Sequence, residues 1–183
     1  MELFDIVDEN GEPTGITKER TKVHEDGDLH RTAHVWIFRD NEKGGLDILL
    51  QKRSVNKDSF PGCYDISSAG HIPAGSDYVE SALREVKEEL GIDVTAEELI
   101  DCGLRRLSDT NIFYGKVFKD NRITRVYKMK RNDIEIDKLT LQKEEIESVC
   151  WMDYEACIQA VKDNTIKHCI FLDELMQIKD VQS

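Results

Sequence analysis

Three prolines in 183 residues leave no Pro-rich linker, and no internal repeat or low-complexity tract divides the chain. One domain with room for a real core is the simplest organisation at this length. A cysteine framework is missing too. Cys63, Cys102, Cys150, Cys157 and Cys169 are odd in number, scattered, and form no C-x-x-C pair. That excludes a disulfide scaffold or a zinc knuckle and fits reduced thiols in a cytoplasm. No apolar run approaches the ~20 residues of a membrane span, and the opening "MELFDIVDEN" is acidic where a signal peptide is basic. A cytoplasmic location without a membrane partner is therefore expected. Basic charge is short as well: 25 Lys and Arg against 37 Asp and Glu give a net charge of −12. Such a chain is ill suited to grip a nucleic-acid polymer over a broad surface. A small anionic ligand stays compatible, because a bound divalent cation reverses the local field.

What is present reads as a mixed α and β chain. "ELFDIVD" alternates as a half-buried strand, and turn formers follow in "ENGEPTG". "TAHVWIF" and "LDILLQKR" read as strands joined through "RDNEKGG". "SVNKDSFPGCYDISSAGHIPAG" is loop-like and holds two of the three prolines. Beyond a central helix, "IDCGLRRL", "TNIFYGKVF", "ITRVYKMK" and "IESVCWM" are strand candidates, and two helices are expected to close the chain within residues 153–180. Residues 1–30 are read as a strand or hairpin packed on the core. The class is α/β or α+β, built in layers.

The central helix carries the chemistry. Asp77 and Glu80 form a D-x-x-E capping box, and Gly91 sits where a left-handed cap belongs. Val79, Ala82, Leu83, Val86 and Leu90 make an apolar stripe. At about 100° per residue, Glu85, Glu88 and Glu89 gather on another face. The Glu85/Glu89 pair is like-charged at i,i+4, which costs an isolated helix roughly 0.2–0.5 kcal/mol. Charge pattern alone reads as a solvated acidic face. The alternative is a site for hard divalent cations, which prefer carboxylate oxygens.

Gly70, five residues, Ser76, seven residues, then "REVKEELGI" resembles the Nudix box, G-x5-E-x7-R-E-U-x-E-E-x-G-U with U aliphatic. Gly70, Arg84, Glu85, Val86, Glu88, Glu89, Gly91 and Ile92 all fall at matching positions; Ser76 departs, standing where the family has glutamate. The resemblance implies a three-layer α/β/α sandwich with a mixed β-sheet, a single domain over residues 1–183. It also implies a pyrophosphohydrolase acting on a nucleoside diphosphate linked to a group X, with Mg²⁺ or Mn²⁺. Glu85, Glu88 and Glu89, with the Gly70 carbonyl, would hold the metal, and Arg84 would anchor the glutamates. Asp77 and Glu80 are the nearby carboxylates able to stand in for the one missing at Ser76. The base varies across the family, so Glu144, Glu145 and Glu147 are candidates outside the box. A non-catalytic nucleotide-binding module is the variant reading.

"VHEDGDLHRTAHVWIF" and "KRSVNKDSFPGCYDISSAGH" are similar to type 1 isopentenyl-diphosphate isomerases, which share the fold and bind a metal through histidines. His24, His30 and His71 match three such positions. The proton-transfer pair does not match: Ala69 stands where a cysteine is needed, Arg122 where a glutamate is, with Asp120 nearby, and Cys63 comes too early. An alanine transfers no proton and an arginine is no base near neutrality. Hydrolase is the preferred reading, in the isomerase-like branch.

For the diphosphate, Arg53, Lys52 and Lys57 are the cations nearest the box, with Arg31 as an alternative. Phe60, Tyr64, Phe113, Tyr114 and Tyr127 are available to stack on a flat group, whereas Trp36 and Trp151 are assigned to the core. The terminal helices, with "CIFLDEL", are apolar enough to support a homodimer.

Overall fold

The computed structural model describes residues 2–180. Two strands, β1 (Leu3–Val7) and β2 (Pro13–Glu19), form their own antiparallel hairpin, followed by a short helix, α1 (Arg20–Asp26). That helix lies within residues read as strand or hairpin from sequence; Gly27, at φ 79°, ends it. Seven strands then make a mixed sheet: β3 (His30–Asp40), β4 (Leu46–Arg53), β5 (Tyr64–Asp65), β6 (Ser68–His71), β7 (Ile100–Phe113), β8 (Lys116–Lys130) and β9 (Ile146–Asp153). The order is β5-β4-β3-β8-β7, with β6 on β3 and β9 on β4. Strands β3 and β8 are parallel, from His30 opposite Arg122 to Phe38 opposite Lys130.

Because side chains alternate across a strand, β3 feeds two cores. Ala33, Val35 and Ile37 face the central helix, α2 (Tyr78–Leu90), and pack with Ala82, Val86 and Leu90. Trp36 faces the other way, into Cys157 and Val161 of α3 (Tyr154–Asp163) and Leu175 and Ile178 of α4 (Leu172–Asp180). Helix, mixed sheet and helix thus form the expected three layers, with β3 buried on both sides. Trp36 is fully buried and Tyr127 nearly so.

The stretch "TNIFYGKVF" is not one strand but the tip of a long hairpin. Tyr114 (φ 51°) and Gly115 (φ 76°) form a two-residue turn between Phe113 and Lys116, and left-handed geometry at both positions matches the twist of the flanking strands. The last helix also starts later than "IKHCIFLDELMQI" suggests, at Leu172. His168 instead bridges to Tyr64, and the extended stretch up to Phe171 lines a cavity.

Candidate active site

The α2 helix is positioned at both ends. Asp77 accepts a hydrogen bond from the Glu80 N–H at 2.8 Å, and Gly91 closes the helix in the left-handed region at φ 72°. Glu85 is half-buried, Glu88 exposed and Glu89 buried. The three glutamates, with Gly70 and His71, line one side of a cavity of about 270 Å³. Gly70 permits this approach, since a Cβ at that position would collide with the Glu85 carboxyl. Burial pushes the Glu89 carboxyl up to about 8, against a hydrogen bond from Ser68 at 2.6 Å and with repulsion from Glu85. Burial also raises Glu85, opposed by Arg84, whose Nη2 donates to Glu85 Oε1 at 2.8 Å and whose Nε lies 4.0 Å from Glu88. Nine acidic side chains and four basic ones line the cavity. Such a site favours cations, and the buried glutamates fit hard oxygen-liganded divalent ions.

Four cations face this acidic wall: Arg20, Arg53, Lys57 and Arg122. Arg53 is held by Asp65 at 3.1 Å and by the Ser59 carbonyl at 2.9 Å, and Lys57 pairs with Glu145. Lys52 does not belong with them. It lies outside the cavity lining and pairs with Glu147 at 3.1 Å, because successive residues of β4 point to opposite faces. Arg31 is also committed elsewhere, to Asp5 at 3.2 Å and the Ser76 carbonyl at 3.1 Å, with its guanidinium over the Tyr78 ring. Of the acids near the chain end, Glu145 lines the cavity and Glu144 and Glu147 do not.

A second donor set lies beside the cavity, which His71 lines. His24 from α1, His30 from β3 and His71 from β6 bring one ring nitrogen each to within 4.8 Å of the others. Phe4 stacks on both His30 and His71. His24 Nδ1 meets the Lys119 carbonyl at 3.0 Å and His30 Nδ1 the Asp28 carbonyl at 3.1 Å. A carbonyl only accepts, so each Nδ1 carries the proton and each Nε2 keeps its lone pair. Both Nε2 atoms are buried with no hydrogen-bond partner among the described residues, as is Asp120 Oδ1, which lies 3.9 Å from His30 Nε2. Burial pushes the His30 imidazole down to about 4, and lowers His24 and His71 too. Neutral imidazoles fixed by carbonyls on the far nitrogen are the donor arrangement of a metal site.

Ala69 sits opposite His34, and Arg122 is paired with Asp120 at 3.2 Å, so neither supplies an acid or base. Cys63 does not line the cavity; Cys169 does, but burial pushes its thiol well above the ordinary value. Among the aromatics, Phe60 lines the cavity and Phe118 joins it, while Tyr64, Phe113, Tyr114 and Tyr127 do not. Sequence reading missed Phe118, Arg20, His34 and Glu174. His34 carried a signal, as a histidine in the apolar run "TAHVWIF"; Glu174 carried none, since its partner lies 140 residues away.

A mixed sheet between helices, with a glutamate helix beside a cation-lined cleft, is the arrangement that the Nudix-box resemblance implies. The NUDIX domain family model matches residues 28–172, and the chain belongs to the Nudix hydrolase family. It is 41% identical over 157 residues to Nudix hydrolase 3 of Arabidopsis thaliana, spanning 84% of this chain but only 19% of that protein. The uncharacterized Nudix hydrolase lmo0368 of Listeria monocytogenes is 34% identical over 180 residues, 98% of this chain and 96% of the relative. An isopentenyl-diphosphate Delta-isomerase of Escherichia coli is 28% identical over 157 residues, 85% of this chain and 79% of the isomerase, in keeping with the isomerase-like branch. The crystal structure of DR0079 from Deinococcus radiodurans shares the fold, with TM-score 0.68 at 18% identity, covering 99% of this chain and 100% of that one.

Proposed function

We propose that the chain, acting as one domain, cleaves the diphosphate linkage of a small nucleoside-diphosphate-X type molecule in the presence of Mg²⁺ or Mn²⁺. One observation carries this reading: Glu85, Glu88 and Glu89 meet Gly70 on one wall of the same cavity that Arg53, Lys57 and Arg122 enter from the other. Glu85, Glu88, Glu89 and the Gly70 carbonyl would hold the divalent ion. When bound, such ions neutralise phosphate charge and acidify water. Arg84 keeps the glutamates aligned, Arg53 and Lys57 orient the diphosphate, and Glu145 takes the proton from the attacking water. Lys57, now paired with Glu145, is free to turn to a phosphate as Glu145 takes up that proton.

The imidazole cluster supports a second metal-binding element. Three nitrogens and the Asp120 carboxylate suit a transition ion such as Zn²⁺ or Mn²⁺ better than Mg²⁺, and the unpartnered Nε2 atoms of His24 and His30 favour that assignment.

A panel of nucleoside diphosphates, nucleotide sugars, dinucleotides and isopentenyl diphosphate tests the reading, with Mg²⁺ or Mn²⁺ and with Glu88→Gln in parallel. Hydrolysis to monophosphate products, lost in Glu88→Gln, supports it. Isomerisation without hydrolysis, or no turnover of any member, would sink it in favour of the isomerase or the binding module.

A further inference from the structure

Glu174 lies on α4, beyond residue 172 where the family match ends. Its side chain is 1% exposed, and it takes three hydrogen bonds. His34 Nδ1 reaches Oε1 at 2.8 Å, Trp36 Nε1 donates to the same oxygen at 2.8 Å, and Arg105 donates to Oε2 at 2.6 Å. Arg105 is itself braced by Asp173 at 2.6 Å and lies over the Phe171 ring. A buried carboxylate is expensive unless its partners are this complete, so the chain has invested in the position of His34.

That position is specific. His34 is nearly buried, opposite Ala69 on β6, and it lines the same cavity as Arg53, Ile66, Ile170 and Phe171. With the carboxylate on Nδ1, that nitrogen carries the ring proton. The other, Nε2, has no hydrogen-bond partner among the described residues and is not sealed in the core. An imidazole held this way presents Nε2 to the cavity in a fixed direction. Packing α4 against the sheet would not require it, since Trp36 and Arg105 already bind Glu174.

We infer that His34, oriented by Glu174, is a specificity-determining residue whose Nε2 accepts a hydrogen bond from a hydroxyl or amino group on X. This rests on the diphosphate-hydrolase reading and narrows it: X carries a donor, as a sugar does, and is not a bare hydrocarbon. A site built to pair with a donor discriminates against analogues lacking one, because its own polar group is then left unpaired.

The test uses the full chain with Mg²⁺ and two probes, ADP-ribose, whose X is rich in hydroxyls, and isopentenyl diphosphate, whose X has none. His34→Asn retains an amide donor for Glu174 but has no group in place of Nε2, so it separates recognition from packing. His34→Ala serves as a second variant, and thermal melting checks that both fold. Wild type is expected to bind ADP-ribose, with His34→Asn weakening its KM and Kd about tenfold, one hydrogen bond's worth, and leaving kcat unchanged in protein that still melts cooperatively. Isopentenyl diphosphate should respond less than twofold, roughly the scatter for an untouched contact. In protein labelled with ¹⁵N-histidine, the His34 Nε2 resonance should move on adding ADP-ribose and Nδ1 should not. Equal losses on both probes, no loss on either, wild type preferring isopentenyl diphosphate, or wild type failing to bind ADP-ribose would each overturn the inference. Binding with the predicted His34 dependence but no cleavage of ADP-ribose to AMP and ribose 5-phosphate would instead overturn only the hydrolase reading.

Discussion

Arg31 Nη2 donates to Asp5 Oδ2 at 3.2 Å, joining the first strand of the chain to the loop that leads into the glutamate helix. The same Asp5 oxygen accepts the Gly75 N–H at 2.9 Å, and Arg31 also binds the Ser76 carbonyl at 3.1 Å. Ser76 lacks the carboxylate that the family motif has at this position. Of its presumed substitutes, Asp77 caps the helix, and Glu80 is exposed, with a backbone N–H bonded to that cap. The loop is held from outside by a carboxylate on β1, with both Asp5 and Arg31 side chains only 10–12% exposed. Asp5→Asn should therefore cost roughly 1.5–3 kcal/mol, the range for hydrogen bonds to charged groups, in urea unfolding. It should also lower kcat more than it raises KM. A change within ~0.5 kcal/mol, as for ordinary surface substitutions, would show that the loop does not depend on Asp5.

Glu145 differs from its neighbours by position alone. It lines the cavity and pairs with Lys57, whereas Glu144 and Glu147 lie outside. If it is the base, Glu145→Gln should reduce kcat by about 10²–10⁴-fold, the usual contribution of a general base, while Mn²⁺ affinity holds steady. Glu144→Gln and Glu147→Gln should leave kcat within about twofold, as expected of exposed charge far from the reacting atoms. Steady-state formation of the monophosphate products for the three variants, together with Mn²⁺ titration, decides the matter. Parallel loss in all three would point to a structural role for the whole segment.

How much of this could be read from the chain turns on range. Glu85, Glu88 and Glu89 are three and four residues apart on a helix with its own caps, so helix and face were legible, whereas the metal chemistry was implied only by the Nudix-box resemblance. So was the double burial of β3, written in the run "TAHVWIF". Illegible features depend on partners far away or on unusual backbone. Tyr114 adopts a left-handed conformation that tyrosine rarely takes, so the hairpin turn was hidden inside a strand-like run. Lys52 and Arg53 look equivalent in sequence, yet alternation sends only Arg53 to the cavity. Asp5 serving the Ser76 loop and Glu174 serving His34 are contacts across most of the chain, with no local pattern to announce them.

The imidazole cluster gives a direct metal prediction. His24 and His30 each present a bare Nε2 fixed by a carbonyl on the other nitrogen. Protein purified without chelator should therefore retain about one equivalent of a transition ion such as Zn²⁺, a borderline ion suited to imidazole. His30→Gln should lose it, while Glu88→Gln should keep it. Elemental analysis after gel filtration reads this without reference to turnover. Equal metal content in wild type and His30→Gln would show that the three rings only pack against Phe4 and one another.

Glu174 links the fold to acid stability. Its burial alone would raise the carboxyl, but hydrogen bonds from His34 and Trp36 and the Arg105 charge outweigh that and hold it at about 2, below its ordinary 4.5. As pH falls, the unfolded chain takes up this proton before the folded chain does. The stabilisation is thus fully present above about pH 4.5, declines below it, and is gone near pH 2. Over that window it amounts to on the order of 3 kcal/mol. Glu174→Gln removes the titration, so the stability gap between wild type and variant should narrow by about 2 kcal/mol between pH 5 and pH 3. Urea unfolding at both values measures it. A gap unchanged across that range would mean that Glu174 is not held ionised by His34, Trp36 and Arg105, and the fixed Nδ1 proton on His34 would lose its support.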